Sequence, residues 1–169
     1  HADVSTTRFE RFLLDDPEFQ ADGIIGNIPF GTRMIDSDLE ASKYKLSEYR
    51  TNEALFLNES MDRLKPGQPM VMVVPHGVMT GSQHSTLRQQ LAKKGRLVGA
   101  YRLPDDAFKH SGTAVVTDII VLQKHPDEVL NGIRKGDDQV LQAIADPAFV
   151  GGAYFENNPQ NILGEVSHY

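Results

Sequence analysis

The run Met70-Val71-Met72-Val73-Val74 constrains the fold more than any other stretch of this chain. Every side chain in it is apolar, whereas a strand with one solvated face alternates apolar and polar residues. The run therefore predicts a strand that is covered on both faces, as in sheets flanked by helices. Pro75-His76-Gly77 follows and marks its end.

Strands and helices alternate along the rest of the chain. Apolar or β-branched runs predict further strands at residues 23–26, 97–103 and 113–123. Apolar residues at helical spacing predict helices at residues 47–64, 83–94 and 137–145. Ser47 is the predicted N-cap of the first helix, and Gly95 the predicted C′ residue of the second.

This order predicts an α/β fold with a mainly parallel sheet, because helical crossovers join parallel strands. The last two strands are joined by about ten residues without helical periodicity, which favours one antiparallel strand. We divide the chain into a lead-in at 1–21, a folded unit at 22–124, and a helical or irregular tail at 125–169 that packs on it. His1 is interpreted as a tag remnant.

Composition excludes several functional classes. A chain of 169 residues without cysteine has no disulfides, thiolate metal sites or cysteine nucleophile. No apolar run approaches the ~20 residues that span a bilayer, so no membrane partner is expected. The net charge of −6 is unlike that of an independent nucleic-acid-binding domain. Any contact with DNA must therefore be local, or depend on other parts of a longer protein.

The segment Asn27-Ile28-Pro29-Phe30 follows the first predicted strand and is the strongest candidate site. Ligands of open α/β sheets bind at the carboxyl ends of strands. An amide oxygen can accept a hydrogen bond from an amino group, proline fixes the turn, and a Phe ring offers a stacking face. These groups suit a flipped-out base. The alternative is an ordinary strand exit in which Phe30 belongs to the core.

Residues Asp22–Gly31 resemble motif IV of the amino-group DNA methyltransferases, usually Asn/Asp-Pro-Pro-Phe/Tyr, with Ile28 in place of the first proline. That departure resembles a branch of large DNA methylase–helicase proteins of phages, plasmids and mobile elements, which includes phage antirestriction proteins. Further segments are similar to the same branch: Arg63–Gly67, Arg102–Lys109, Gly112–Lys124 and Tyr154–Pro159.

The resemblance implies a Rossmann-like S-adenosylmethionine-dependent fold and methylation of a flipped adenine in DNA. Asn27 and the carbonyl of Ile28 would accept hydrogen bonds from the adenine amino group, Pro29 would fix the turn, and Phe30 would stack on the base. The polar segment Lys109, His110, Ser111 and Thr113 would border the base and contact DNA. A bacterial, phage or plasmid origin and a cytoplasmic location are also implied.

The same resemblance implies that most of the S-adenosylmethionine site is missing. Its glycine-rich motif would precede Asp22, where only Phe9 and Glu10 suggest a contact with the cofactor. We expect this chain to be the target-recognition half of a methyltransferase domain, inactive alone, with the cofactor-binding half of the same parent chain as its partner. The strand at 23–26 would then form an exposed edge. It would either pair with a second copy or be covered by residues 9–14.

Other candidate residues favour structural explanations. His76 and His84 have no carboxylate at ligand spacing, Ser82 lacks a nucleophile elbow, and no metal site is predicted. Two alternatives to an active methyltransferase remain open. One is a catalytically inactive methylase-like module for DNA binding, antirestriction or packaging; the other is an unrelated nucleotide-binding α/β domain.

Overall fold

The structure, a computed structural model, describes residues 7–31, 49–108 and 115–164. Its centre is a four-stranded sheet in the order β1-β2-β4-β3. The strands are β1 (Ile24–Asn27), β2 (Pro69–Pro75), β3 (Gly95–Arg102) and β4 (Thr117–Lys124). β1 is parallel to β2, and β4 is antiparallel to both β2 and β3. Three strands therefore point one way and β4 the other, which confirms the predicted mainly parallel sheet with one antiparallel strand.

Helices connect and follow these strands. They are α1 (Phe9–Asp15), α2 (Asn52–Arg63), α3 (Gly77–Thr80), α4 (Ser85–Lys94), α5 (Asp127–Lys135), α6 (Asp138–Ile144), α7 (Pro147–Gly151) and α8 (Tyr154–Asn157), with 3₁₀ turns at Ser82–His84 and Pro159–Asn161. None of the helices in the described segments is long and apolar enough to cross a membrane.

The hydrophobic core lies on one face of the sheet. Met70, Met72 and Val74 of β2 point into it, because side chains alternate along a strand. Leu57 of α2 and Leu91 of α4 pack against them. Full burial of each such side chain contributes about 1.5–3 kcal/mol. The tail adds Phe149 and Phe155 to the same core.

The opposite face of the sheet is partly open in the described part of the chain. Ile25 of β1 is 84% exposed, and Val71 and Val73 of β2 are only half-buried. The prediction that both faces of the apolar run are covered is therefore confirmed for the face of Met70, Met72 and Val74 and met only in part for the face of Val71 and Val73. Ile25 on β1 is the exposed apolar residue of this second face.

The predicted helix boundaries need two corrections. α2 begins at Asn52 with Thr51 as its N-cap, so the predicted start at Ser47 is wrong; Ser47 itself lies outside the described residues. Gly95 is extended, with φ −164°, and begins β3 directly instead of forming a left-handed C′ residue. Glycine is needed there because a Cβ atom would lie 2.5 Å from the backbone oxygen of Gln123.

The N-terminal apolar patch forms α1 and packs on α2. Leu13 contacts Leu55 in a small second cluster, and the rings of Phe9 and Phe56 stack with centroids 4.3 Å apart. Arg63 donates hydrogen bonds to the carbonyls of Leu13 and Pro17, which ties the lead-in to the end of α2. Residues 9–14 therefore pack on a helix, and the prediction that they cover the edge of β1 is not met.

Candidate functional site

The carboxyl end of β1 carries the predicted site. Asn27 is the last residue of this strand and lies opposite Val73 of β2. Its side chain is exposed, and no described residue forms a hydrogen bond with its amide. A side-chain amide at this position can accept two hydrogen bonds and donate two.

Ile28 separates the two exposed residues of the turn, Asn27 and Pro29. Its side chain is buried in the main core, and its N–H donates to the carbonyl of Val73 at 3.5 Å. The aliphatic side chain therefore anchors the turn in the core at the position where the common motif has proline. Phe30 is half-buried against the same core, so the interpretation of its ring as a core residue is met in part.

Gly31 fixes the other end of the turn to the start of α2. Its φ of +94° lies in the left-handed region that favours glycine. Its N–H donates to Glu53 Oε1 at 2.8 Å, and its carbonyl accepts the N–H of Asn52 at 3.1 Å. The Thr51 hydroxyl caps the same helix by accepting the N–H of Ala54 at 3.2 Å. The turn is thus held at both ends by the fold itself.

A buried ion pair lies at the same end of the sheet, near the carboxyl ends of β2 and β3. Arg102 Nε and Nη2 donate to the two carboxylate oxygens of Asp118 at 2.9 and 3.1 Å, and Asp118 is fully buried. Burial raises the pKa of Asp118, while Arg102 and, more weakly, His76 oppose the rise. The Arg102 guanidinium also lies 4.3 Å from the ring centroid of Phe155. Only β2 lies between β1 and β4, the strand of Asp118, so Asp118 is two inter-strand spacings, about 10 Å, from β1.

The predicted DNA-contacting residues Lys109, His110, Ser111 and Thr113 lie outside the described residues. The described residues before and after this segment lie at the same end of the sheet as Asn27. Leu103 N–H donates to the Thr117 carbonyl at 2.9 Å, and His76 N–H donates to the Val116 carbonyl at 3.0 Å. The connection between β3 and β4 therefore leaves the sheet on the same side as Asn27.

The predicted cofactor residues Phe9 and Glu10 belong to α1. Phe9 is half-buried, and its ring stacks on Phe56 within the small cluster of Leu13 and Leu55. A contact of Phe9 and Glu10 with the cofactor stays a prediction. The described residues include no glycine-rich turn that would hold the remainder.

The other candidate residues have structural roles. His84 is buried, and its Nδ1 lies 3.1 Å from the Gly77 carbonyl. No three His, Asp or Glu side chains of the described segments are grouped as metal ligands. Glu53 was not predicted to take part in the site. Its partner Gly31 is 22 positions away, and a glutamate in the first turn of a helix suggests only a favourable dipole interaction.

The sheet and the helices packed on it define a class, the S-adenosylmethionine-dependent methyltransferase fold, because solved structures of that fold superimpose on this chain. A Listeria monocytogenes protein assigned as a class I S-adenosylmethionine-dependent methyltransferase superimposes with a TM-score of 0.52 and 18% identity, covering 82% of this chain and 42% of its own. The type I restriction enzyme EcoKI M protein gives a TM-score of 0.51 and 23% identity, covering 65% of this chain and 22% of its own. At such identities the likeness shows the fold.

The sequence defines the family. The profile of the N-6 DNA Methylase family matches residues 5–150, so the chain belongs to that family. Defense against restriction protein B of Escherichia phage P1 is 32% identical over 166 residues, which is 95% of this chain. Those residues are 7% of the phage protein's length. This chain therefore corresponds to a small part of its phage relative.

Proposed function

We propose that the protein containing this chain methylates the exocyclic amino group of adenine in DNA, with Asn27, Ile28, Pro29 and Phe30 forming the base pocket. The observation that carries the proposal is the turn after β1. Its exposed residues, Asn27 and Pro29, lie on either side of the buried Ile28, and Gly31 is hydrogen-bonded to Glu53 where the turn ends. The chain that carries this turn is a member of the N-6 DNA methylase family.

In this mechanism the chain orients the nucleophilic nitrogen. The Asn27 amide oxygen and the Ile28 carbonyl accept hydrogen bonds from the amino group, which raises the electron density on that nitrogen. The half-buried ring of Phe30 supports the base from one side. No acid is needed to activate the electrophile, because a sulfonium methyl group is already activated. The chain's contribution is to position the amino group, which provides much of the rate in such transfers.

S-adenosylmethionine supplies the activated methyl group when it is bound. Phe9 and Glu10 are the residues of this chain that we propose to contact its adenine. The rest of that site belongs to other parts of the protein, and we expect the isolated chain to bind the cofactor weakly. We propose that the cofactor-binding half contacts the half-open face of the sheet, where Ile25, Val71 and Val73 lie, and the edge strand β1.

The experiment that tests the pocket is Asn27→Ala in the full-length protein. Loss of positioned hydrogen bonds at a reacting group costs about 10²–10³ in rate, so methyl transfer to DNA should fall by that factor. Asn157→Ala is the matched control, since Asn157 is exposed on α8 and away from the turn. Equal rates for both variants would remove Asn27 from the mechanism.

A second candidate function is an antirestriction module that does not methylate DNA. The name of the phage relative, Defense against restriction protein B, favours it, as does the replacement of the motif's first proline by Ile28. Sequencing for N6-methyladenine in cells that carry the full-length gene distinguishes the two. Methylated adenines that disappear with Asn27→Ala support the enzyme, and their absence from wild-type cells supports the inactive module.

A further inference from the structure

We infer that Glu53 is a positioning residue for the base pocket, acting through Gly31; the inference rests on the proposed methylation of adenine. Glu53 does not belong to the Asn27–Phe30 turn, and its carboxylate accepts a hydrogen bond from Gly31, the residue directly after the turn. Its carboxylate holds the residue that follows the turn, and so sets where the turn ends.

The turn has two fixed points. The first is Ile28, whose side chain is buried and whose N–H reaches β2. The second is Gly31, which donates to Glu53 Oε1 at 2.8 Å and accepts from Asn52 N–H at 3.1 Å. Only Pro29 and Phe30 lie between these points. Moving the second point therefore moves the Phe30 ring and the path of the backbone from the Ile28 carbonyl onward.

The environment of Glu53 also indicates a role beyond stability. Only 3% of this residue is exposed, and its Oε2 has no hydrogen-bond partner among the described residues. A buried polar atom without a partner is unfavourable for folding. An apolar residue in the first turn of α2 would avoid that cost but could not accept the Gly31 N–H. The carboxylate is thus explained by its contact with the pocket.

Loss of this contact should affect the chemical step more than binding. A displacement of about 1 Å in a positioning group can lower a rate by about 10²-fold. DNA and cofactor contacts elsewhere would be unchanged. Glu53→Gln keeps a carbonyl oxygen that can accept the Gly31 N–H, so it should restore what Glu53→Ala loses.

The test compares Glu53→Ala, Glu53→Gln and Glu59→Ala in the full-length protein. Glu59 is the matched control, because it lies on the same helix and is buried, but accepts a hydrogen bond from the Tyr49 hydroxyl at 3.0 Å. Measured quantities are kcat and KM for DNA, together with Tm. We expect kcat of Glu53→Ala to fall by about 10–100-fold with little change in KM, and Glu53→Gln to remain within about 3-fold.

Three outcomes would overturn the inference. Glu53→Ala could keep the wild-type kcat, or Glu53→Gln could lose as much as Glu53→Ala. Alternatively, Glu59→Ala could lower kcat equally for an equal loss in Tm, which would indicate a purely structural role. A wild-type protein that methylates no adenine is a distinct result, because it rejects the proposed function and with it this role of Glu53.

Discussion

The Tyr154 hydroxyl accepts the backbone N–H of Ala100 at 3.1 Å. Asn161 completes the contact by donating to the Ala100 carbonyl and to the Tyr154 hydroxyl, both at 3.0 Å. Ala100 lies in β3, an edge strand of the sheet. Side chains of the tail therefore satisfy backbone groups that an edge strand otherwise presents to other chains. Leu163 extends this closure by donating to the Arg102 carbonyl at 2.8 Å.

Tyr154→Phe tests this closure. The change removes the acceptor of the Ala100 N–H but keeps the ring, so the free energy of unfolding should fall by about 1–3 kcal/mol. Urea denaturation measures the loss, with Tyr101→Phe as the matched control because Tyr101 is exposed on the same strand. An equal, small effect of both changes would contradict a closing role for Tyr154.

The positions of the strands and the presence of one antiparallel strand were predictable from local sequence, whereas the strand order β1-β2-β4-β3 was not predicted. The apolar run of β2 and the β-branched residues of β4 favour strands wherever they occur. The antiparallel pairing of β3 with β4 followed from the absence of a helical pattern between them. Gly95 was misinterpreted because its constraint is tertiary: the backbone of β4 passes too close for a Cβ atom. The nine residues of α5 carry only three apolar side chains at helical spacing, Val129, Leu130 and Ile133, so this short helix was missed.

The site was predictable only where it is contiguous in sequence. Asn27 to Phe30 form one turn directly after a predicted strand, and that position indicated exposure at the carboxyl end of the strand. The burial of Ile28 and the contact of Gly31 with Glu53 depend on packing between β1 and α2. No local pattern links those residues. The roles of Phe9, Glu10 and the residues between β3 and β4 stay predictions.

Arg88 is expected to be the most sensitive polar residue for stability. It is buried and donates to the carbonyls of Val78, Gly81 and Val150 at 2.9–3.1 Å, and burial lowers its pKa. Arg88→Met would leave these carbonyls without their donor, so unfolding should become easier by about 3 kcal/mol or more. Thermal denaturation should show a clear fall in Tm. Arg134→Met, on the exposed side of α5, serves as the control, and a similar Tm for both variants would argue against this role.

The Asp118 carboxylate should make stability depend on pH in an unusual direction. Because burial raises its pKa, the folded state holds the proton more tightly than the unfolded chain. Protonation of Asp118 stabilises the folded state fully below the ordinary Asp pKa of about 3.9. This stabilisation is lost as pH rises through the raised pKa of Asp118 in the folded state. The difference in unfolding free energy between wild type and Asp118→Asn should therefore shrink with rising pH.

Arg102→Met provides a check on the cause of that dependence. Arg102 opposes the rise in the pKa of Asp118, so its removal should shift the loss of stability to higher pH. The Arg102→Met change should also destabilise the fold at neutral pH, because it leaves the buried Asp118 carboxylate without its partner. Urea denaturation at a series of pH values measures both effects. A difference between wild type and Asp118→Asn that grows with pH would reverse the assigned sign.

Ile25→Lys tests the open edge of the sheet. Ile25 is 84% exposed on β1, which pairs only with β2 in the described structure, and the tail that closes β3 has no counterpart there. An apolar edge strand of this kind is a template for pairing with another chain, and lysine discourages such pairing. We therefore expect the isolated wild-type chain to self-associate with increasing concentration and Ile25→Lys to reduce this association. The free energy of unfolding should change by only about 0.5 kcal/mol.

Val98→Lys is the matched control, because Val98 is 52% exposed on β3, the edge strand that the tail covers. Light scattering over a concentration series measures the association, and an equal reduction by both lysines would assign the effect to added charge instead of the β1 edge.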